Sequence, residues 1–537
     1  MTALPLIGAD GRRRMIAAVT LCALGQAAAA GAAAFATRDV FAVFAAGSAV
    51  PVSALGVLIT SGCTIAALRM AETVTAERLG QAYAADVRML LFNHISHLPR
   101  AVVRSQRRGG LSLRFVGDLS ALRGWISRGL TRLISAAIVL PVTAGAVFAL
   151  DWRLGCAVAV PIALGMGVIL ALSRSAGPVH ARLRTCRARL SADMSERAPV
   201  APDLRALGRM RREKKRLARR TGDLVKAAVA RARTAGALRA VPDAISGLAG
   251  AMILLIALRT GLPAATAAGA LAATALMIRP LRELAGVWDR HRDWKVAKDK
   301  CERLLARERV RRSRPAGKRE QPRGPSGTSL KFDQVSHGAL SQCSAEIPSG
   351  AKVAILGQNS SGKSTLLTLA SGIDVPETGR VTLNGKTVAA IGDRARRIAL
   401  IWEDAPVLAG SLRRALTLGV LPRPSDDAIE HAARETGLGP LLRRLGGLDG
   451  AIAEGGRSLS TGEMWRVLMV RARLAGQDVL LFDSPDRALD EEGLAHLVDT
   501  IRQTDATVIV TTDSPDLAAR FDTVLTLSNG RLAEREA

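Results

Sequence analysis

The chain has 537 residues, room for two or three domains. Its formal net charge of +28, from 75 Lys and Arg against 47 Asp and Glu, points to nucleic acid, an anionic membrane surface or the cytoplasmic loops of a membrane protein. Aromatic residues are only 3%, with the single tyrosine Tyr83, so stacking platforms for single strands are scarce; the six cysteines are dispersed, and no pair has metal-ligand or redox spacing.

A first apolar run covers residues 15–35, behind Arg12, Arg13 and Arg14. A cleaved signal peptide starts in this way, but the run outlasts a signal core and a second follows at 44–68. Four more lie near 133–150, 154–172, 242–258 and 262–278. Each approaches the ~17–25 residues that carry a helix across a bilayer, where the backbone must satisfy its own hydrogen bonds. The last two are alanine-rich, and taken alone they also fit a buried hairpin of a soluble protein. The connections argue for spans. Little beyond Arg38 and Asp39 separates the first two, Asp151-Trp152-Arg153 the middle two and Arg259-Thr260-Gly261 the last two. The other connections are long and arginine-rich, from Arg69 through Arg100, Arg104, Arg107 and Arg108 to Arg132, and from Arg174 through Arg211, Arg212 and Arg216 to Arg239. Cytoplasmic loops hold the excess of Lys and Arg. The pattern predicts six spans with both termini in the cytoplasm, and it accounts for the charge without nucleic acid. Residues 76–98 and 204–239 are rich in helix formers and read as helices continuing beyond the bilayer. Polar residues in the spans are few, Gln26, Ser61 and Thr143 among them, and charges are absent from the span cores. That favours an amphipathic or lipid-like small-molecule cargo over an ion.

Residues 1–14 thus precede a membrane domain at 15–305. A flexible linker of Arg, Pro, Gly, Ser and Lys follows at 306–328. From 329 to 537 short β-rich runs alternate with helical ones, an α/β pattern with buried parallel strands. Within it Gly357, Gln358, Asn359, Ser360, Ser361, Gly362, Lys363, Ser364 and Thr365 fit G-x-x-x-x-G-K-[ST], directly after an apolar strand and opening an apolar helix. In such a loop the glycines let successive N–H groups turn toward phosphate oxygens, and the helix start adds partial positive charge. Lys363 would reach the β- and γ-phosphates of ATP and Ser364 would ligate Mg²⁺, with Asp483 at a strand end as a second carboxylate on the metal side.

Together these features resemble the ATP-binding-cassette (ABC) exporter family, whose half-transporters carry an all-α six-helix membrane domain with long cytoplasmic extensions and then an α/β P-loop domain. Residues 88–99 look like the first intracellular loop, with its short coupling helix, and 109–118 like the approach to the third span. Leu459, Ser460, Thr461, Gly462 and Glu463 stand where the family has its L-S-G-G-Q signature; residues 478–483 match its Walker B strand and Ala488-Leu489-Asp490 its D-loop. The resemblance implies a head-to-tail pair of nucleotide domains, each P-loop facing the partner's signature. It also exposes departures. Ser484 occupies the position of the catalytic glutamate, Asp513 that of the switch histidine and Glu403 that of the Q-loop glutamine. His337-Gly338 falls where an aromatic residue stacks on adenine. Loss of a positioned base costs ~10²–10⁴-fold in rate. The reading is therefore an ATP–Mg²⁺-binding exporter subunit of a plasma or inner membrane, hydrolysing poorly at its own P-loop. A heterodimer with a second, competent half-transporter is favoured over a homodimer. The alternative is a non-transporting regulatory or scaffold membrane protein that binds ATP without hydrolysing it.

Overall fold

The computed structural model describes residues 4–9, 11–47, 51–99, 102–103, 114–307, 328–392, 394–403 and 405–534. Arg100, Arg104, Arg107, Arg108, residues 109–113 and nearly all of the expected linker lie outside them. Two compact units make up the chain; the first ends at Glu308 and the bulk of the second begins at Arg309.

Among the described residues of the first unit six helices are long and apolar enough to cross a membrane: α1 (Arg12–Ala45), α2 (Val52–Ile95), α3 (Phe115–Leu150), α4 (Trp152–Arg197), α5 (Met210–Thr260) and α6 (Ala264–Leu305). The 51 residues of α5 extend about 75 Å at ~1.5 Å per residue, against a hydrocarbon core of about 30 Å. The basic stretches are thus largely the ends of the spanning helices themselves.

Three boundaries differ from the sequence pattern. Arg38 and Asp39 lie inside α1, paired at 2.7 Å on its surface, and the turn falls later, at Ala46-Gly47. A local ion pair leaves the helix intact, so charge alone misplaces the turn. Phe44 accordingly closes the first helix rather than opening the second. The stretch expected to be helical from 204 is broken: a short helix, Ala201–Ala206, ends before Gly208 at φ +67°, and α5 starts only at Met210. Elsewhere the connections are tight. Asp151 caps α4 by accepting the Arg153 N–H at 2.8 Å, and Gly261 at φ +65° closes α5.

Small residues set the packing. α1 buries Ala23, Ala27, Ala30 and Ala34. On α6, a Cβ built at Gly269 would come 2.9 Å from the Ala34 carbonyl oxygen. Close backbone approach of this kind is how helices associate where lipid supplies no hydrophobic contrast. Amid this apolar packing Glu72 of α2 is 1% exposed and accepts hydrogen bonds from Gln26, Arg132 and Ser135.

Among the described residues the second unit has twelve strands: β1 (Leu330–His337), β2 (Leu340–Ile347), β3 (Lys352–Leu356), β4 (Thr378–Leu383), β5 (Lys386–Thr387), β6 (Ile398–Ile401), β7 (Gly410–Ser411), β8 (Ala451–Ile452), β9 (Val479–Asp483), β10 (Thr507–Thr512), β11 (Thr523–Ser528) and β12 (Arg531–Glu534). The main sheet runs β12-β11-β3-β10-β9-β6, parallel except at the β12 edge. Strand alternation feeds two cores. Val353, Ile355 and Ile509 pack with Leu366, Leu367 and Leu369 on one face, and Ala354, Val508 and Val510 with Trp465, Leu468 and Leu497 on the other. Both faces are covered, which is why the strands read as continuous apolar runs. An antiparallel sheet, β2-β1-β4-β5, adds Phe332, Val335 and Val381 to the first core. A third cluster gathers short helices, through Leu412, Ile429 and Leu441, around Val467 and Val470.

Candidate nucleotide site

β3 is flanked by β11 and β10, and its C-terminal end delivers the chain into the loop 357–362, which opens α7 (Lys363–Ala370). That is a loop-to-helix turn outside the carboxyl ends of parallel strands, where ligands of such sheets bind. Gly357 is pinned to the neighbouring strand by its N–H to the Thr512 carbonyl at 3.2 Å. Gly362 adopts φ +106°, and a Cβ there would meet Leu340 Cδ2 at 2.7 Å. Glycine is therefore required twice over, for conformation and for space. Leu340 opens β2, so the β1–β2 hairpin carrying His337-Gly338 lies against the loop. His337 Nδ1 stands 3.5 Å from Glu377 Oε1.

Lys363 is buried, and its ammonium donates to the carbonyls of Gly357 at 2.5 Å and Gln358 at 2.9 Å. Burial pushes its pKa down, Asp513 opposes the shift and Arg487 adds to it. The first-turn amides of α7 have no intrahelical acceptor, as at any helix start. Ser361 Oγ is buried without a hydrogen-bond partner among the described residues, and Ser364 is exposed beside it. A cation, free amides and an unpaired hydroxyl around one loop suit a polyphosphate.

Parallel register brings the remaining groups to the same edge. β9 and β10 pair Asp483 with Thr511, whose hydroxyl donates to Asp483 Oδ1 at 3.0 Å. Asp483 and Ser364 both carry oxygen ligands of the kind Mg²⁺ takes. Ser484 follows at φ +54°, its N–H donating to the Thr511 carbonyl at 3.0 Å. Asp513 follows Thr512 and is exposed. It is not an isolated anion: Arg487 Nη2 donates to it at 2.8 Å. Asp486 beside it accepts from the Thr512 hydroxyl at 2.8 Å. Burial pushes the Asp486 carboxyl up, while the hydrogen bond from Asp486 and the Arg487 charge hold Asp513 down. Sequence reading singled out Asp513 but neither Arg487 nor Asp486. Their signal was present as two charged residues just after Ser484.

Leu459, Ser460, Thr461, Gly462 and Glu463 lie elsewhere in this unit, and among the described residues no hydrogen bond joins them to the P-loop. Ser460 caps α8 (Thr461–Ala475): its Oγ accepts the Glu463 N–H at 3.1 Å, and Glu463 Oε2 accepts the Ser460 N–H at 2.8 Å. Glu463 also pairs with Arg444 at 2.8 Å. The glutamate that departs from the family signature therefore completes a capping box. Ser460→Ala should cost about 1 kcal/mol of this unit's stability, read as a lower thermal midpoint; an unchanged midpoint would show that the cap contributes nothing. Glu403 is exposed in the turn after β6, and Asp404 lies outside the described residues.

Comparison with known proteins agrees with this geometry. The model of the ABC transporter transmembrane region matches residues 16–270, and that of the ABC transporter ATP-binding part, described as "ABC transporter", matches residues 340–487. The ATP-dependent lipid A-core flippase of Vibrio cholerae is 24% identical over 465 residues, 84% of this chain and 79% of that protein. The multidrug efflux ATP-binding/permease protein of Mycobacterium tuberculosis is 28% identical over 271 residues, 48% of this chain, and only 22% of its own length is covered. A bacterial Atm1-family ABC exporter, solved with ATP bound, shares the fold at a TM-score of 0.82 and 20% identity, over 97% of this chain and 94% of that one. With the membrane region and the ATP-binding part fused in one polypeptide, the chain belongs to the ABC transporter family and has the architecture of a half-transporter.

Proposed function

We propose that this chain is the nucleotide-binding and membrane-spanning half of an exporter, and that its own P-loop holds ATP–Mg²⁺ but hydrolyses it slowly. One observation carries the reading: a complete phosphate cradle, with Lys363 buried at its base, stands beside Ser484 and Asp513 where a base and a histidine would serve hydrolysis. ATP supplies the binding energy when bound. Loop 357–365 grips the phosphates, Ser364 and Asp483 take the metal, and the Arg487–Asp513 pair keeps the γ-phosphate side from carrying a bare negative charge. Ser484 has no carboxylate to orient an attacking water, a loss of about 10²–10⁴-fold.

A weak site is useful when paired with a competent one. The partner we propose is a second half-transporter, whose P-loop would meet Ser460 and Gly462 of this chain. ATP shared between the two domains would favour the closed pair by its extra contacts there. The basic helix extensions support a cytoplasmic position for the nucleotide domain and both termini, and the cargo we propose is a small amphipathic or lipid-like molecule. The competing reading, an ATP-binding regulator that transports nothing, is separated by vesicles holding both halves: labelled lipid analogue should move only with ATP, and no movement would favour the regulator.

Ser484→Glu tests the degenerate site directly. The turn at 484 has positive φ, a modest strain for glutamate. Hydrolysis by the purified chain in nanodiscs should rise about 10–100-fold over the native protein. An unchanged rate, or a native rate already typical of transporters, would remove the proposed deficit.

A further inference from the structure

The loops that follow β9 and β10 are fastened to each other beside the phosphate cradle. Ser484 donates its N–H to the Thr511 carbonyl at 3.0 Å and to the Thr511 hydroxyl at 3.1 Å. The Thr512 hydroxyl donates to Asp486 at 2.8 Å and accepts the Ser514 N–H at 2.9 Å. The turn Pro485–Arg487 is closed by the Arg487 N–H on the Ser484 carbonyl at 3.3 Å. The backbone is thus held on both sides. The side chains that meet between the loops are freer: Arg487 is 48% exposed and Asp513 37%. A solvated guanidinium on a fixed mount can change acceptors by side-chain rotation alone.

The pair lies close to the cradle. Burial lowers the Lys363 pKa, and the charges that act on it next are, in order, Asp513, Arg487, Asp483 and Asp486. Both members of the pair are therefore within electrostatic reach of the amine at the base of the phosphate loop. Three carboxyl groups here face two cations, Lys363 and Arg487. A triphosphate adds further negative charge, and Lys363 is already committed to the loop by its bonds to Gly357 and Gln358. Arg487 is the cation left to meet the outermost phosphate. Its bond to Asp513 competes weakly, because an exposed ion pair contributes little in water. Phosphate oxygens, by contrast, suit the two-pronged geometry of a guanidinium.

We propose that Arg487 is the specificity-determining contact of this site for the third phosphate, and that Asp513 holds the guanidinium ready for it. The inference rests on the ATP-binding reading, which it deepens by naming the residue that tells ATP from ADP. A contact made as soon as ATP binds strengthens affinity without raising the rate, so Arg487 leaves hydrolysis as slow as Ser484 makes it.

The test uses the full chain in phosphatidylcholine nanodiscs with Mg²⁺, on ice, with radiolabelled ATP and radiolabelled ADP titrated separately. The native protein should bind ATP more tightly than ADP. Arg487→Ala should weaken ATP roughly 10–100-fold, as for one lost charge-assisted hydrogen bond, and leave ADP within about threefold. Arg487→Lys should recover part of the loss. The double variant Arg487→Ala/Asp513→Asn separates contact from mere neutralisation of Asp513, since removing both charges abolishes any repulsion but cannot replace a lost contact. It should remain roughly tenfold or more weaker for ATP than the native chain. Native ATP affinity in Arg487→Ala, an equal loss for ADP, or full recovery in the double variant would each overturn the proposal. A native chain that retains neither nucleotide sinks the ATP-binding reading itself; one that retains both, with Arg487→Ala indistinguishable from it, sinks this inference alone.

Discussion

Replacing Lys363 with alanine will weaken ATP binding about 100-fold or more. The side chain is 6% exposed, and its ammonium sits on two carbonyls of the loop it must serve. Those contacts hold the amine at the cradle, where incoming phosphate oxygens replace carbonyls as its acceptors. Each charged hydrogen bond is worth roughly 1.5–3 kcal/mol, and two lost together exceed tenfold in affinity several times over. Lys352 provides the control. It opens β3, the strand that leads into the loop, and also holds two carbonyls, those of Thr504 and Ala506, but it borders no candidate phosphate contact. Lys352→Ala should lower stability and leave affinity within a few-fold. Titration of a fluorescent ATP analogue decides the matter: a Lys363→Ala protein that binds within threefold of the native one would disprove the cradle.

The difference between these two lysines also shows how much could be read in advance. Loop spacing places Lys363 without coordinates, because a glycine-rich turn between a strand and a helix has one geometry. The six spans were legible for a similar reason: hydrophobic runs of bilayer length have few other fates. What escaped depended on pairs distant in sequence. Arg487 neutralises Asp513 across 26 positions, a contact set by the β9–β10 register rather than by any local pattern. Glu72 escaped because it lies four residues beyond the second apolar run, while its partner Gln26 lies inside the first. The charge-free span interior read from the sequence is thus true of the runs and misleading about the folded unit. Glu463 was legible in principle, since Ser460-x-x-Glu463 spells a capping box; comparison with the family signature drew notice to what it replaced instead of what it does.

Glu72→Ala is expected to be the most damaging change in the membrane unit. Three donors converge on one buried carboxylate: Gln26 from α1, and Arg132 and Ser135 from α3. Removing it leaves an amide and a hydroxyl unpaired and strips Arg132 of its nearer counter-charge, with only Glu283 remaining at 3.4 Å. Breaking a buried pair by deleting one partner typically costs about 3–5 kcal/mol, because the surviving charge stays desolvated. Glu77 lies five positions further along the same helix and pairs with Arg123 at 3.2 Å, but it is 45% exposed. A pair of that kind is worth at most about 1 kcal/mol, so Glu77→Ala should shift the thermal midpoint in detergent little, whereas Glu72→Ala should lower it by several degrees. Glu72→Gln should fall between, since it keeps an acceptor and loses the charge. Equal shifts for Glu72→Ala and Glu77→Ala would mean that water reaches Glu72 in the membrane-embedded protein. The helices α1, α2 and α3 would then owe their cohesion to alanine packing alone.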